Sequence, residues 1–217
     1  EAEAGKTTAI IGSTGSGKST LLHLIPRYFD ASEGEISIDG VNIRDISLNK
    51  LRDILGFVPQ KGVLFSGNIE SNIKFADENI TDEQMKKAAE IAQAIEFINE
   101  KEDKFNSEIS QGGSNVSGGQ KQRLSIARAL AKNPKILLFD DSFSALDYKT
   151  DVKLRKTLRE EMAGGTTIIV AQRIATILNA DKIIVMNEGK IVGVGKHQEL
   201  LETCPTYLEI AESQLSE

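Results

Sequence analysis

Cysteine is nearly missing from this sequence: Cys204 is the only one among 217 residues, so no disulfide can close within the chain. A reducing compartment fits that usage. The simplest role for Cys204 itself is a small apolar residue packed near the carboxyl end. Also missing is any apolar stretch of about 18 residues, the length a helix needs to cross a bilayer. The opening Glu1-Ala2-Glu3-Ala4 has neither a basic start nor an apolar core, which excludes a secretory signal peptide. No run of lysine and arginine appears, and the net charge is -6. Neutralising a nucleic-acid backbone needs clustered cations, which argues against a nucleic-acid partner. Internal repeats and low-complexity tracts are absent too.

What is present is ordinary globular sequence, 40% hydrophobic and 27% charged. Its length suits one large domain with a smaller lobe inserted into it. Thr7 to Ile11 is a β-favouring apolar run that starts almost at once, and this abrupt onset reads as a piece of a longer chain. A helix is predicted from Lys18 to about Ile25. Glu35 to Ile38 and Val41 to Ile43 form a hairpin across Asp39-Gly40, and Leu55 to Val58 is another strand, ended by Pro59.

Residues 62–133 read differently. Thr81 and Gln84 have capping-box spacing, and Met85, Ala88, Ala89, Ala92, Ile95 and Ile98 then recur at helical spacing, predicting one helix through Asn99. Leu124, Ala127, Ala129 and Leu130 belong to a second helix, closed by Asn133-Pro134. Strands return at Lys135 to Phe139, at Thr166 to Ala171, and in a hairpin joining Lys182–Met186 to Lys190–Val194. Apolar strands alternating with helices predict an α/β fold, a mostly parallel sheet flanked by helices with peripheral antiparallel strands. Residues 1–61 and 134–217 would form its core, and residues 62–133 an inserted helical lobe.

Three patterns carry chemistry. The first is Gly12-Ser13-Thr14-Gly15-Ser16-Gly17-Lys18-Ser19-Thr20, between a predicted strand and a predicted helix. Its glycines let backbone N–H groups converge on phosphate oxygens, and the helix start adds unpaired donors. Lys18 is placed for the β- and γ-phosphates, and the Ser19 hydroxyl for Mg²⁺. The second is Asp140-Asp141 at the carboxyl end of an apolar strand, where parallel sheets bind ligands. Asp140 can hold Mg²⁺ beside Ser19, and Asp141 would face the γ-phosphate, where a base belongs. Alone, such a pair is equally a turn or a helix cap. The third is Ser117-Gly118-Gly119-Gln120 before a helix, a capping box that doubles as an anion site.

With these motifs in this order, the sequence resembles the ATP-binding domain of an ATP-binding cassette (ABC) transporter over nearly its whole length. Gln60 stands at the Q-loop position, Ser117 to Gln120 at the signature, Asp140 at the end of the Walker B strand, and Ser144-Ala145-Leu146-Asp147 at the D-loop. The intervening text, Val58-Pro59-Gln60 and Leu64-Phe65-Ser66-Gly67-Asn68-Ile69, is most similar to exporters of the multidrug and lipid type. The resemblance implies a P-loop NTPase fold with a RecA-like core, ATP and Mg²⁺ as cofactors, and a transmembrane domain as partner at the cytoplasmic face of a membrane. It also implies a second nucleotide-binding domain. Two domains would enclose two ATP molecules, each held by one phosphate loop and the other domain's Ser117, Gly118, Gly119 and Gln120. Gln60 would sense Mg²⁺ and the attacking water.

Two positions depart from the family pattern. Asp141 stands where the catalytic base is usually Glu, and Gln172 where the switch residue is usually His. One carbon shorter, Asp withdraws its carboxylate by about 1.5 Å, against the roughly 2.6–3.2 Å reach that a base requires. A Gln can bond a phosphate but cannot become a cation. These changes imply a heterodimeric exporter with one degenerate ATP site on this subunit. Neutral drift within a fully active homodimeric exporter remains an alternative. Lesser departures are Gln111 and Gly112, where exporters carry an acid and a base, and the missing adenine-stacking aromatic. Tyr28 lies too far along to replace it, and packing is its expected role. A chromosome-maintenance or DNA-repair ATPase of the same superfamily is disfavoured by the short interval between Thr20 and Ser117 and by the lack of heptads. A soluble relative acting on ribosomes is disfavoured by the exporter-like text around Gln60.

Overall fold

The computed structural model describes residues 1–162 and 164–215. The chain divides into two compact units. One comprises Glu1–Leu55, Lys135–Asp141 and Gly165–Glu217, the other Gly56–Pro134 and Ser142–Gly164.

The first unit is built on a twisted, mostly parallel sheet. Its strands β1 (Thr7–Gly12), β7 (Ile136–Asp140), β8 (Thr166–Val170), β9 (Lys182–Asn187) and β10 (Lys190–Gly195) stand in the order β10-β9-β1-β8-β7. Leu55, where β4 (Leu55–Val58) begins, follows at the β7 edge. β1 runs parallel to β8 and β9, β7 runs parallel to β8, and β10 runs antiparallel to β9. The central strands are apolar without alternation because both faces are covered: Ala9, Ile10, Ile11, Leu137, Leu138 and Phe139 are all buried. Helix α1 (Lys18–Leu24) packs on β1, β7 and β8 through the buried Leu22. Strands β2 (Ser37–Ile38) and β3 (Val41–Asn42) form the expected hairpin. Its turn residues, Asp39 and Gly40, have φ of 50° and 79°, the left-handed pair that a tight two-residue turn demands. Helix α2 (Leu48–Asp53) follows.

Helices α8 (Ile174–Ile177), α9 (His197–Thr203) and α10 (Pro205–Leu215) complete this unit. α9 packs on β10, where a bulge between Ile191 and Gly193 brings the backbone down onto Cys204. A Cβ on Gly193 would lie 2.7 Å from Cys204 Sγ, so no larger residue fits, and the thiol is buried. α10 packs on β1 and β9 through Tyr207, a fully buried ring whose hydroxyl meets His197 Nδ1 at 2.8 Å. Burial pushes the Tyr207 phenol up to about 12. An unfolded tyrosine loses its proton near pH 10, so the native state retains a proton that the unfolded state releases. Stability is therefore complete below pH 10 and declines as pH rises toward 12. Between pH 9 and 11 urea unfolding should lose roughly 1 kcal/mol from this group, and Tyr207→Phe should flatten that part of the profile.

In the second unit, β5 (Gly67–Asn68) and β6 (Glu108–Ile109) form a short antiparallel pair beside helices α3 (Ile69–Ile73), α4 (Asp82–Ile91), α5 (Ile95–Asn99), α6 (Gly118–Ala131) and α7 (Tyr148–Glu161). Three helix starts have the reciprocal capping box: Asn68 with Ser71, Thr81 with Gln84, and Ser117 with Gln120. Arg128 ties α6 to the segment before α4. Its guanidinium donates to Asn72 O, Asn72 Oδ1 and Val63 O and lies over the stacked rings of Phe65 and Phe75.

The single helix expected through Asn99 is two helices. Gln93 takes the left-handed conformation, φ 56°, and ends α4 in a Schellman motif: Ala94 N donates to Ala89 O and Gln93 N to Glu90 O. Gln93 Nε2 also donates to the carbonyls of Glu90 and Ile91, while Arg123 Nη1 donates to Gln93 O. Side-chain donors thus replace the helical bonds that continuation would have made.

Candidate functional site

β1 stops at Gly12 because β9 crowds it. A Cβ there would sit 2.0 Å from the Met186 carbonyl oxygen, so only glycine passes. The chain then loops outward through the exposed Ser13, Thr14 and Gly15 and turns back, with Ser16 N donating to Ser13 O. Gly17, at φ 93°, is the N-cap of α1, and no side chain caps that helix start. Gly189, in the β9–β10 turn, donates its N–H to Ser16 O and anchors the loop from outside.

Lys18 is almost wholly buried and arches back over the loop. Its Nζ donates to Gly12 O at 2.9 Å, Ser13 O at 2.7 Å and Ser16 Oγ at 3.3 Å. Burial pushes its pKa down, and the carboxylates of Asp141 and Asp140 pull against that. The result is an ammonium group and the uncapped amides of a helix start gathered at one loop, which is an arrangement for polyanions.

The acids at the end of β7 meet this loop. Ser19 Oγ donates to Asp140 Oδ1 at 2.6 Å, so the two hard oxygen donors that the sequence paired are in contact across 121 positions. Their chemistry suits Mg²⁺. Asp141 has φ 46°, a costly backbone for a non-glycine residue, held by its N–H donating to Val170 O at 2.9 Å. Gln172, exposed just after β8, donates from Nε2 to Asp141 Oδ2 at 2.8 Å. Gly12 to Thr20, Asp140, Asp141 and Gln172 are therefore one cluster.

One member of the cluster was not foreseen. His23, one turn beyond Ser19 on α1, places Nε2 3.2 Å from Asp140 Oδ2, so both carboxylate oxygens are engaged from one helix. The spacing of four residues after Ser19 was the available signal. Tyr28 finds its role here too: its ring edge packs on His23, and Arg52 lies over its face.

Gln60 and the second glycine motif lie on the other unit, where a second unforeseen residue links their elements. Gln122, buried in α6, donates from Nε2 to Pro59 O at 3.0 Å and accepts from Gly62 N at 2.8 Å. Its amide brackets the segment that carries Gln60. Ser117 accepts from Gln120 N, and Gln120 Oε1 accepts from Ser117 N. Open space surrounds Gly118, and Gly119 faces the Ala145 carbonyl, 3.7 Å from where a Cβ would stand.

The family profile described as ABC transporter matches residues 1–144. This chain belongs to the ABC transporter family. An uncharacterized ABC transporter ATP-binding protein of Mycobacterium bovis is 46% identical over 98% of this chain and 37% of its own length. The ATP-dependent lipid A-core flippase of Desulfotalea psychrophila is 44% identical over 92% of this chain and 35% of its own. Multidrug resistance protein 1 of Entamoeba histolytica is 44% identical over 99% of this chain but 17% of its own. Among solved structures, a bacterial Atm1-family ABC exporter with ATP bound superimposes with a TM-score of 0.96 at 39% identity, covering 100% of this chain and 38% of that one. The chain thus spans little more than a third of the length of these relatives, or less. It has the P-loop NTPase fold, and its sequence is similar to the ATP-binding domains of exporters in this family.

Proposed function

We propose that this ABC domain binds ATP and Mg²⁺ at the Gly12–Thr20 loop and, paired with a second nucleotide-binding domain, powers export through a transmembrane domain. The 2.6 Å contact of Ser19 with Asp140, beside the buried Lys18, carries the reading. Gly12 to Thr20 would wrap the phosphates, Lys18 would bond their β- and γ-oxygens, and Ser19, Asp140 and Gln60 would hold the metal. Mg²⁺, when bound, supplies charge neutralisation at the β- and γ-oxygens. Ser117, Gly118, Gly119 and Gln120 would face the partner's nucleotide. The unit of Glu1–Leu55, Lys135–Asp141 and Gly165–Glu217 would act as the nucleotide-binding core, and residues 62–133, within the other unit, as the helical lobe presenting that motif. The working location is the cytoplasmic face of a membrane.

The finer part of the proposal is that this subunit's own site is degenerate and its partner is a different subunit. In hydrolysis, a water oxygen bonds the γ-phosphorus, the bond to the β–γ bridging oxygen breaks, and a base takes the water's proton. Asp141 is the group at hand, and one of its oxygens already accepts from the Gln172 amide. That bond occupies an oxygen that a base would offer to the water. A neutral amide at position 172 cannot supply positive charge either.

Titration calorimetry with Mg²⁺ and ATP, followed by phosphate release, tests both parts. Magnesium-dependent heat with turnover well under about 1 s⁻¹, the low end for ordinary enzymes, is the expected result. Fast turnover by the unmodified chain would reject the degenerate site and favour an active homodimeric exporter. Absence of heat would reject the whole assignment.

A further inference from the structure

The segment after β8 is exposed at both Gln172 and Arg173. Such a segment would ordinarily sample many conformations, yet Gln172 must hold one to reach Asp141 at 2.8 Å. Ala171 N, just before it, donates to Ile10 O, and α8 begins at Ile174 with no side-chain cap from Arg173.

The restraint comes from α10. The Gln214 side chain donates from Nε2 to Gln172 O at 2.7 Å and accepts at Oε1 from Ile174 N at 2.8 Å. One planar amide therefore pairs with the main chain on both sides of Arg173, as a neighbouring strand would. It also supplies the missing cap of α8 from outside. Ile174 is buried, so its N–H has few other partners, and an unmet buried donor is costly. The clamp is firm because α10 is itself fixed: Tyr207 and Ala211 are buried, and the helix packs on β1, β9 and α8.

The geometry points to Gln214 as a positioning residue for nucleotide hydrolysis, setting where Gln172 stands relative to Asp141. The Gln214 amide bonds main-chain atoms on either side of Arg173, so it acts through Gln172 and takes no part in the chemistry. The inference rests on the ATP-site reading above.

The test compares the 217-residue chain with Gln214→Ala and Gln214→Glu, each also carried in the Asp141→Glu, Gln172→His background, where turnover is expected to be measurable. Gln214→Glu keeps the acceptor for Ile174 N–H and sets a carboxylate against the Gln172 carbonyl. Three quantities are read: amide exchange at Ile174, Mg²⁺-ATP affinity, and kcat against KM. Exchange at Ile174 should quicken in Gln214→Ala and stay slow in Gln214→Glu. In the Asp141→Glu, Gln172→His background, where the clamped position carries a productive imidazole, kcat should fall about tenfold with either Gln214 variant, because small misplacement of catalytic groups is costly, while KM and affinity change less than about twofold. Quickened exchange with unchanged kcat would reduce the clamp to a structural role and overturn the inference. Unchanged exchange in Gln214→Ala would show that no clamp exists. If the parent chain binds no Mg²⁺-ATP, the underlying site assignment fails and takes the inference with it. Ile174 exchange then still reports separately on the clamp.

Discussion

Replacing Asp141 by Glu and Gln172 by His together should raise ATP turnover of this domain by about a hundredfold or more. A well-placed general base commonly contributes about 10²–10⁴ in rate, and Glu restores the carbon that Asp lacks. The backbone gives the new carboxylate a defined starting point, since Asp141 N is fixed to Val170 O. Position 172 matters for a different reason. Its amide now occupies Asp141 Oδ2, and an imidazole there can carry positive charge toward the γ-phosphate instead. The single variants should each give far less than the pair, because groups that act as a unit are not additive. Single-turnover phosphate release at saturating Mg²⁺-ATP, at protein concentrations that favour dimers, is the measurement. A double variant that binds ATP as tightly as the parent yet hydrolyses no faster would show that these two positions do not set the rate.

Lys18→Met should weaken Mg²⁺-ATP binding by roughly ten- to a hundredfold. A hydrogen bond to a charged group contributes about 1.5–3 kcal/mol, and each 1.4 kcal/mol is about tenfold in affinity. The side chain also bridges Gly12 O and Ser13 O, so its loss loosens the loop that must close on phosphates. Folding of the nucleotide-free domain should change little. Burial already opposes the Lys18 charge, and relief of that opposition offsets the lost bonds. Thermal unfolding separates the two effects. The parent should gain about 2.7 kcal/mol of stability with ATP at a hundredfold excess over Kd, and Lys18→Met should gain only about 0.4–1.4 kcal/mol at the same concentration.

Much of this site could be read from the chain because its signals are local. The phosphate loop is nine consecutive residues, and the capping boxes of Thr81 with Gln84 and Ser117 with Gln120 need only a three-residue spacing. The apolar runs of β1 and β7 announce burial on both faces. What escaped notice depends on distant partners or on conformations without a residue code. Gln93 adopts a left-handed backbone that glycine or asparagine would have advertised. His23 matters only because α1 passes beside the end of β7. Gln122 and Gln214 are ordinary glutamines in helices until the loops they bracket are brought to them. Long-range amide clamps of this kind leave no periodicity behind.

The bulge on β10 has a practical consequence. By pressing Gly193 onto Cys204, it seals the chain's sole sulfhydryl from reagents while the domain is folded. Cysteines introduced on the surface can then carry fluorophores or spin labels without first removing the native one. Slow modification of the wild-type thiol would in turn clock how often this corner comes apart.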